Sequence, residues 1–244
     1  MSDLPPNVHV SQHPCLLAKL SQLRSQDTLP KDVKGLIHDI SLIVGCEAFA
    51  KGLTSAPGPT PNLYLQDKTP LGFDFQTHQL LPATVSLIPI LRSGLGMVEA
   101  IQTLLPHPVP VHHLGLYREP ATLHPVEYYN NLPNHLAGSG GGNGGDGGGT
   151  ADTSASELAI ILDPVIATGG TCAAAIQTLR EWGARRVVVL SVLGAASGVK
   201  AAAAEWPEGV EIWLAGVDEE LTDRGMLKPG LGDVGDRLFL TIGK

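Results

Sequence analysis

Runs and spacings of apolar residues set the first expectations along this chain. Between Asp27 and Ala50, Leu36, Ile40, Ile43 and Val44 recur at helical spacing, Pro30 falls near the first turn, and Thr28 stands where a cap belongs. Together these predict one long helix. The stretch from Thr54 to Pro82 changes character: Pro, Thr, Gly and Asn are frequent, with short extended pieces such as Asn62–Leu65, so an irregular connection holding a small hairpin is expected. Val85–Leu91 (VSLIPIL) is a continuous apolar run of strand length. Gly94–Leu95–Gly96 then opens a helix to about Leu105, with Met97, Ala100, Ile101 and Leu104 on one face. Val109–Tyr117 reads as a second strand, and Arg118 begins a polar stretch.

Glycine fills nine of the twelve positions from Gly138 to Gly149. Such a tract buries no apolar surface and loses the most entropy on ordering, so a flexible insertion is expected there. Beyond it the pattern is regular: strand Ala159–Asp163, helix Gly170–Trp182 with Cys172, Ile176 and Leu179 inward, strand Val187–Leu193, helix Ala195–Glu205, strand Val210–Val217. Apolar strands separated by helices predict an α/β fold with a parallel sheet, right-handed crossovers and helices on both faces. Candidate chemistry lies on both sides of the glycine tract, so residues 1–244 are expected to form a single domain with 138–149 as an insertion; a domain boundary in the tract is the alternative.

Composition narrows the function classes. A chain of 244 residues with 43% hydrophobic content can bury a core, and its net charge of −8 argues against a sequence-independent grip on nucleic acid. Any anionic ligand must therefore be held by a few local groups. The three cysteines, Cys15, Cys46 and Cys172, are scattered and lack metal-ligand spacing, which points to a reducing compartment. The N-terminal MSDLPPNVHV has no basic patch followed by an apolar core, and no apolar run reaches the roughly 18 residues of a membrane span. A cytoplasmic protein with no membrane partner is expected. The adjacent His112 and His113 would point to opposite faces of a strand and are read as structural, not as metal ligands.

The candidate chemistry begins where the strand Ala159–Asp163 ends. Asp163, Pro164, Val165, Ile166, Ala167, Thr168, Gly169, Gly170 and Thr171 lead at once into a helix. Ligands of open parallel sheets gather at such strand ends. Glycines there let backbone N–H groups approach a phosphate, the threonine hydroxyls add donors, and the helix start supplies partial positive charge. The carboxylate of Asp163 is placed to accept from vicinal ribose hydroxyls, directly or through a metal-bound water. The competing reading is a tight glycine turn with Asp163 as a helix cap. No Lys follows the glycines, so this is not a nucleotide-binding P-loop, nor is it the dinucleotide G-x-G-x-x-G pattern.

Four segments resemble the uracil phosphoribosyltransferase family: Leu162–Thr171 (LDPVIATGGT), Pro89–Met97 (PILRSGLGM), Gly115–Arg118 (GLYR) and Pro229–Arg237 (PGLGDVGDR). The resemblance covers the chain from His13 onward, apart from the glycine tract and the region of Thr54–Pro82. It implies a type I phosphoribosyltransferase-like core with a small C-terminal base-binding subdomain, and the conversion of uracil and phosphoribosyl diphosphate to uridine monophosphate and diphosphate with Mg2+. It also implies a homo-oligomer, dimer or tetramer, with GTP as an effector in some members. Residue by residue, it places Arg92 and Arg118 on the diphosphate and residues 163–171 on the phosphorylated ribose. Leu227, Gly232 and Val234 would contact uracil, and Asp233 would reach the ribose or its metal-bound water. For either arginine the competing reading is a surface ion pair, and for Pro229–Arg237 a turn that closes the fold. Many relatives carry Tyr and Ile where Met226 and Lys228 stand, and acidic residues where Glu119, Pro120 and Ala121 stand. A non-catalytic sensor of the nucleotide or of phosphoribosyl diphosphate is therefore the alternative function.

Overall fold

The computed structural model describes residues 4–58, 66–119, 125–133 and 156–241. In chain order these hold β1 (Val8–Val10), α1 (Pro14–Arg24), α2 (Pro30–Gly52), β2 (Thr54–Pro57), β3 (Gln66–Lys68), β4 (Asp74–Gln76), β5 (His78–Leu81), β6 (Val85–Leu91), α3 (Leu95–Leu104), β7 (Leu114–Arg118) and β8 (Pro125–Asn130). The second half holds β9 (Leu158–Leu162), β10 (Val165–Ile166), α4 (Gly170–Trp182), β11 (Arg186–Ala195), α5 (Ala196–Ala203), β12 (Val210–Asp218), β13 (Glu220–Leu221), β14 (Leu227–Lys228) and α6 (Val234–Phe239).

The central sheet runs β1-β12-β11-β9-β6-β7-β8, with β10 paired to β11. Its pairings are parallel except β7–β8, which is antiparallel. Period-two alternation sends side chains to two cores. Leu87, Ile160, Leu162, Leu190 and Val192 face α1, α2 and α3, whereas Ile88, Ile90, Ile161 and Val189 face α4 and α5. On the first side α2 buries Val33, Leu36, Ile37, Ile40, Val44 and Ala48, a repeat of three and four residues that makes one apolar stripe. On the second, α4 buries Cys172, Ala175, Ile176 and Leu179. The expected α/β class, with helices on both faces, is the observed one.

Several expectations are corrected. The long helix starts at Pro30 after Leu29, and Thr28 does not cap it: its hydroxyl donates to the Gln22 carbonyl at 2.5 Å, which ties the α1–α2 turn. The helix α1, which the sequence reading did not assign, packs Leu16, Leu20 and Leu23 inward. The stretch read as strand Val109–Tyr117 forms a strand only from Leu114. Val111 contributes an isolated bridge to Leu87, and His112 lies edge-on to Trp182 at 5.6 Å before the strand begins. The edge strand β8 was also unassigned. Two nested antiparallel pairs, β2–β5 and β3–β4, stand where a small hairpin was expected. Asn62–Leu65, Pro120, Ala121 and the glycine tract 138–149 lie outside the described residues.

Candidate active site

At the carboxyl end of β9 the chain enters a tightly packed turn. Asp163 is 6% exposed, and its N–H donates to the Leu190 carbonyl. The Pro164 carbonyl accepts from the N–H groups of both Val192 and Leu193, and Ile166 is buried in β10. These bonds staple the first half of the loop to β11. The second half turns through Gly169, whose φ of 85° lies in the left-handed region and which caps α4. The turn rests backbone-to-backbone on α5: a Cβ at Gly169 would meet the Gly198 carbonyl oxygen at 2.2 Å. The first N–H groups of a helix have no intrahelical acceptor and carry the positive end of its dipole, so the start of α4 presents donors to an anion. A pouch of about 30 Å³ lies there, lined in part by Asp163, Thr168, Gly169 and Thr171.

This pouch adjoins a cleft of about 430 Å³. Asp163, Val165, Ala167 and Thr171 line one part of it, and Leu227, Gly232, Asp233 and Val234 of the C-terminal segment line another. Residues from two motifs more than fifty positions apart are thus brought to one space at the carboxyl ends of the parallel strands, where such sheets bind ligands. Asp233 does two things at once. It borders the cleft, and its Oδ1 accepts the Asp236 N–H at 2.9 Å as the N-cap of α6.

The uracil phosphoribosyltransferase family model matches residues 10–241. The chain is 41% identical to the uracil phosphoribosyltransferase of Roseiflexus castenholzii and 37% identical to that of Desulfitobacterium hafniense, each over 96% of this chain and 98% of the relative. This chain belongs to the uracil phosphoribosyltransferase family. Its fold is also that of the AQ2163 protein from Aquifex aeolicus, with a TM-score of 0.77 at 28% identity, covering 96% of this chain and 98% of that one.

Arg92 follows a cis Leu91–Arg92 peptide, and Gly94 packs so closely behind it that a Cβ there would meet the Leu162 carbonyl oxygen at 2.2 Å. The Arg92 guanidinium is half exposed and leans across α6: Nη2 lies 3.7 Å from Asp236 Oδ1, and Nη1 donates to Thr241 Oγ1 at 3.4 Å. Its neighbour Ser93 borders the cleft instead, a residue the sequence reading passed over. Arg118 closes β7 opposite Pro125, two residues beyond the cleft-lining Leu116. Cys172 is buried in the α4 core; burial, then the nearby Asp163 charge, push its thiol well above the ordinary value, away from the thiolate that a nucleophile needs.

The two C-terminal departures separate cleanly. Lys228 sits opposite Glu220 across β13–β14 and donates to its Oε2 at 2.7 Å, away from the cleft, whereas Met226 borders the cleft. Replacing Lys228 with valine is therefore expected to leave the KM for the base within about twofold, as for other exposed ion pairs. Steady-state kinetics with varied base check this.

Proposed function

We propose that this chain transfers the 5-phosphoribosyl group from phosphoribosyl diphosphate to uracil, giving uridine monophosphate and diphosphate. The observation that carries the reading is the shared cleft, where the anion-binding start of α4 and the 227–235 segment face one space. In this reading residues 168–171 hold the 5-phosphate through backbone N–H groups and threonine hydroxyls. Asp163 and Asp233 accept from the ribose hydroxyls, and Leu227, Gly232 and Val234 border the base. Breaking the C1–O bond sends its electron pair onto the departing diphosphate while positive character builds on the ribose ring; the base nitrogen bonds to C1 and its N–H proton passes to the diphosphate or to solvent. The protein's task is to orient the base nitrogen against C1 and to stabilise the leaving group, a role assigned to Arg118 and to Arg92, the latter by turning from Asp236 and Thr241 past the cleft-lining Gly235.

The donor set also bears on Mg2+. Asp163 and Asp233 both line the cleft, while among the described residues no group of three or more His, Cys, Asp or Glu could hold a metal. That suits a cation that keeps several waters and is bound through one or two carboxylates plus substrate oxygens. When bound it would neutralise charge on the departing diphosphate.

The assembly we infer is a homo-oligomer, dimer or tetramer, in keeping with Leu71 at 84% and Phe73 at 68% exposure around the β3–β4 pair. GTP sensitivity is carried over from the family resemblance alone. A cytoplasmic setting accords with three cysteines that form no disulfide, and no helix among the described residues is long and apolar enough to cross a membrane. The sensor alternative rests on the departures at Met226, Lys228 and Pro120, of which Lys228 turns away from the cleft.

The test is a base panel of uracil, cytosine and purines with phosphoribosyl diphosphate and Mg2+, assayed for nucleotide product beside calorimetry. Uridine monophosphate from uracil is expected. Binding of the sugar diphosphate without product from any base would establish the sensor reading instead.

A further inference from the structure

Two arginines outside the cleft tie down the segment that borders the base. We propose that Arg24, Asp218 and Arg237 form a latch that aims the Gly232 N–H into the cleft and so sets the affinity for the base. This deepens the function proposed above and rests on residues 227–235 being the base-facing segment.

Arg24 ends α1 and Asp218 ends β12. Their side chains meet as a fork: Nη2 lies 2.6 Å from Oδ1 and Nη1 3.1 Å from Oδ2, with the Asp218 side chain only 4% exposed. The pair then grips both polar groups of Gly230. Arg24 Nη1 donates to the Gly230 carbonyl at 2.8 Å, and the Gly230 N–H donates to Asp218 Oδ2 at 2.8 Å. Gly230 holds a φ of 67°, and a Cβ there would meet the Leu227 carbonyl oxygen at 2.3 Å, so the clamped residue has no room for a side chain.

Arg237, on α6, takes the next carbonyl. Its Nη1 donates to Leu231 O at 2.6 Å and to Leu23 O at 2.7 Å, and its Nη2 donates to Ser25 O at 3.2 Å. Leu23 and Ser25 belong to the end of α1, where carbonyls lack intrahelical donors and the dipole favours a cation. The Leu231–Gly232 bond is trans, and in a trans peptide the C=O and N–H point in opposite directions. Drawing the Leu231 carbonyl toward α1 therefore turns the Gly232 N–H the other way, and Gly232 lines the cleft. A planar base with carbonyl acceptors would be read by that donor. Arg24, Asp218 and Arg237 are positioning residues, since each acts through Gly230 or Leu231.

The experiment uses the full chain carrying the paired change Arg24→Gln with Asp218→Asn, which avoids stranding a buried carboxylate. Arg237→Gln and Arg24→Lys are made separately; the lysine keeps the charge but cannot fork. Melting temperature, kcat and the KM for each substrate are measured. The KM for the base is expected to rise on the order of 10- to 100-fold in the paired and Arg237 variants, the scale of one charge-assisted hydrogen bond. Arg24→Lys should fall between, and the KM for phosphoribosyl diphosphate should stay within about threefold by the same scale. An unchanged KM for the base, or equal rises for both substrates, would overturn the latch. If the paired variant does not fold, the same ratio in Arg24→Lys and Arg237→Gln decides. If the wild-type protein uses another base of the panel, the uracil assignment fails and the latch is judged on that base; no turnover with any base overturns both.

Discussion

Gly198→Ala, one methyl on a helix assigned no contact with substrate, is expected to lower kcat/KM for phosphoribosyl diphosphate on the order of 100-fold, the cost of misplacing a reacting group by about an ångström. Gly198 lies in α5, beneath the turn at residues 167–169. Its added Cβ would meet the Ala167 carbonyl oxygen at 1.9 Å and the Gly169 nitrogen at 2.9 Å. Both are backbone atoms, and the turn is stapled to β11 on one side and continuous with α4 on the other, so no side chain can swing clear. The loop must retreat, and the donors at the start of α4 retreat with it. Alanine in place of helical glycine favours the helix by roughly 1 kcal/mol, which offsets part of the roughly 1–3 kcal/mol that such overpacking costs. Gly35→Ala is the control: Gly35 is an exposed position of α2 whose Cβ would meet nothing within 4 Å. Kinetics with varied phosphoribosyl diphosphate, beside thermal melts, should show a catalytic loss in Gly198→Ala and none in Gly35→Ala. Equal kinetics in the two variants would mean that the turn does not hold the phosphate.

Asp233→Asn should remove most activity, on the order of 10- to 100-fold in kcat/KM, while leaving the melting temperature near that of the wild type. The carboxylate caps α6 through Oδ1 and faces the cleft. Asparagine caps a helix about as well as aspartate, so this substitution strips the charge and keeps the cap. A charge-assisted hydrogen bond to ribose contributes roughly 1.5–3 kcal/mol, which sets the size of the loss. Asp233→Ala should lose the same activity and about 1 kcal/mol of stability besides. A fully active Asp233→Asn would leave Asp233 with the helix cap as its whole role.

The parts of this molecule that were legible in the sequence share one property: the information is contiguous. β6, α4 and β12 are apolar runs or stripes bounded by Gly, Pro or charge, and they form within a residue or two of where the pattern puts them. The turn at residues 163–171 is legible for the same reason, because strand, glycines and helix start follow one another without interruption. The helix α1 carried a usable signal, Leu16, Leu20 and Leu23 at helical spacing behind Pro14, which the elements expected from the sequence leave out. β8 carried almost none: its side chains from Val126 to Asn130 are exposed, so nothing alternates. Val109 and Val111 lengthened the strand expected before Leu114, because they are apolar for packing and not for a continuous ladder. The latch was illegible in principle. Arg24 lies 194 residues from Asp218 and 206 from Gly230, and only the fold brings them together.

In the proposed function the α4 start and the 227–235 segment bind opposite ends of one nucleotide. A crystal structure with uridine monophosphate tests this directly. The phosphate is expected within hydrogen-bond distance of the N–H groups at residues 169–171, with the pyrimidine ring against Gly232 and Val234. A nucleotide lying outside the cleft, or seated with its base at the α4 start, would contradict it.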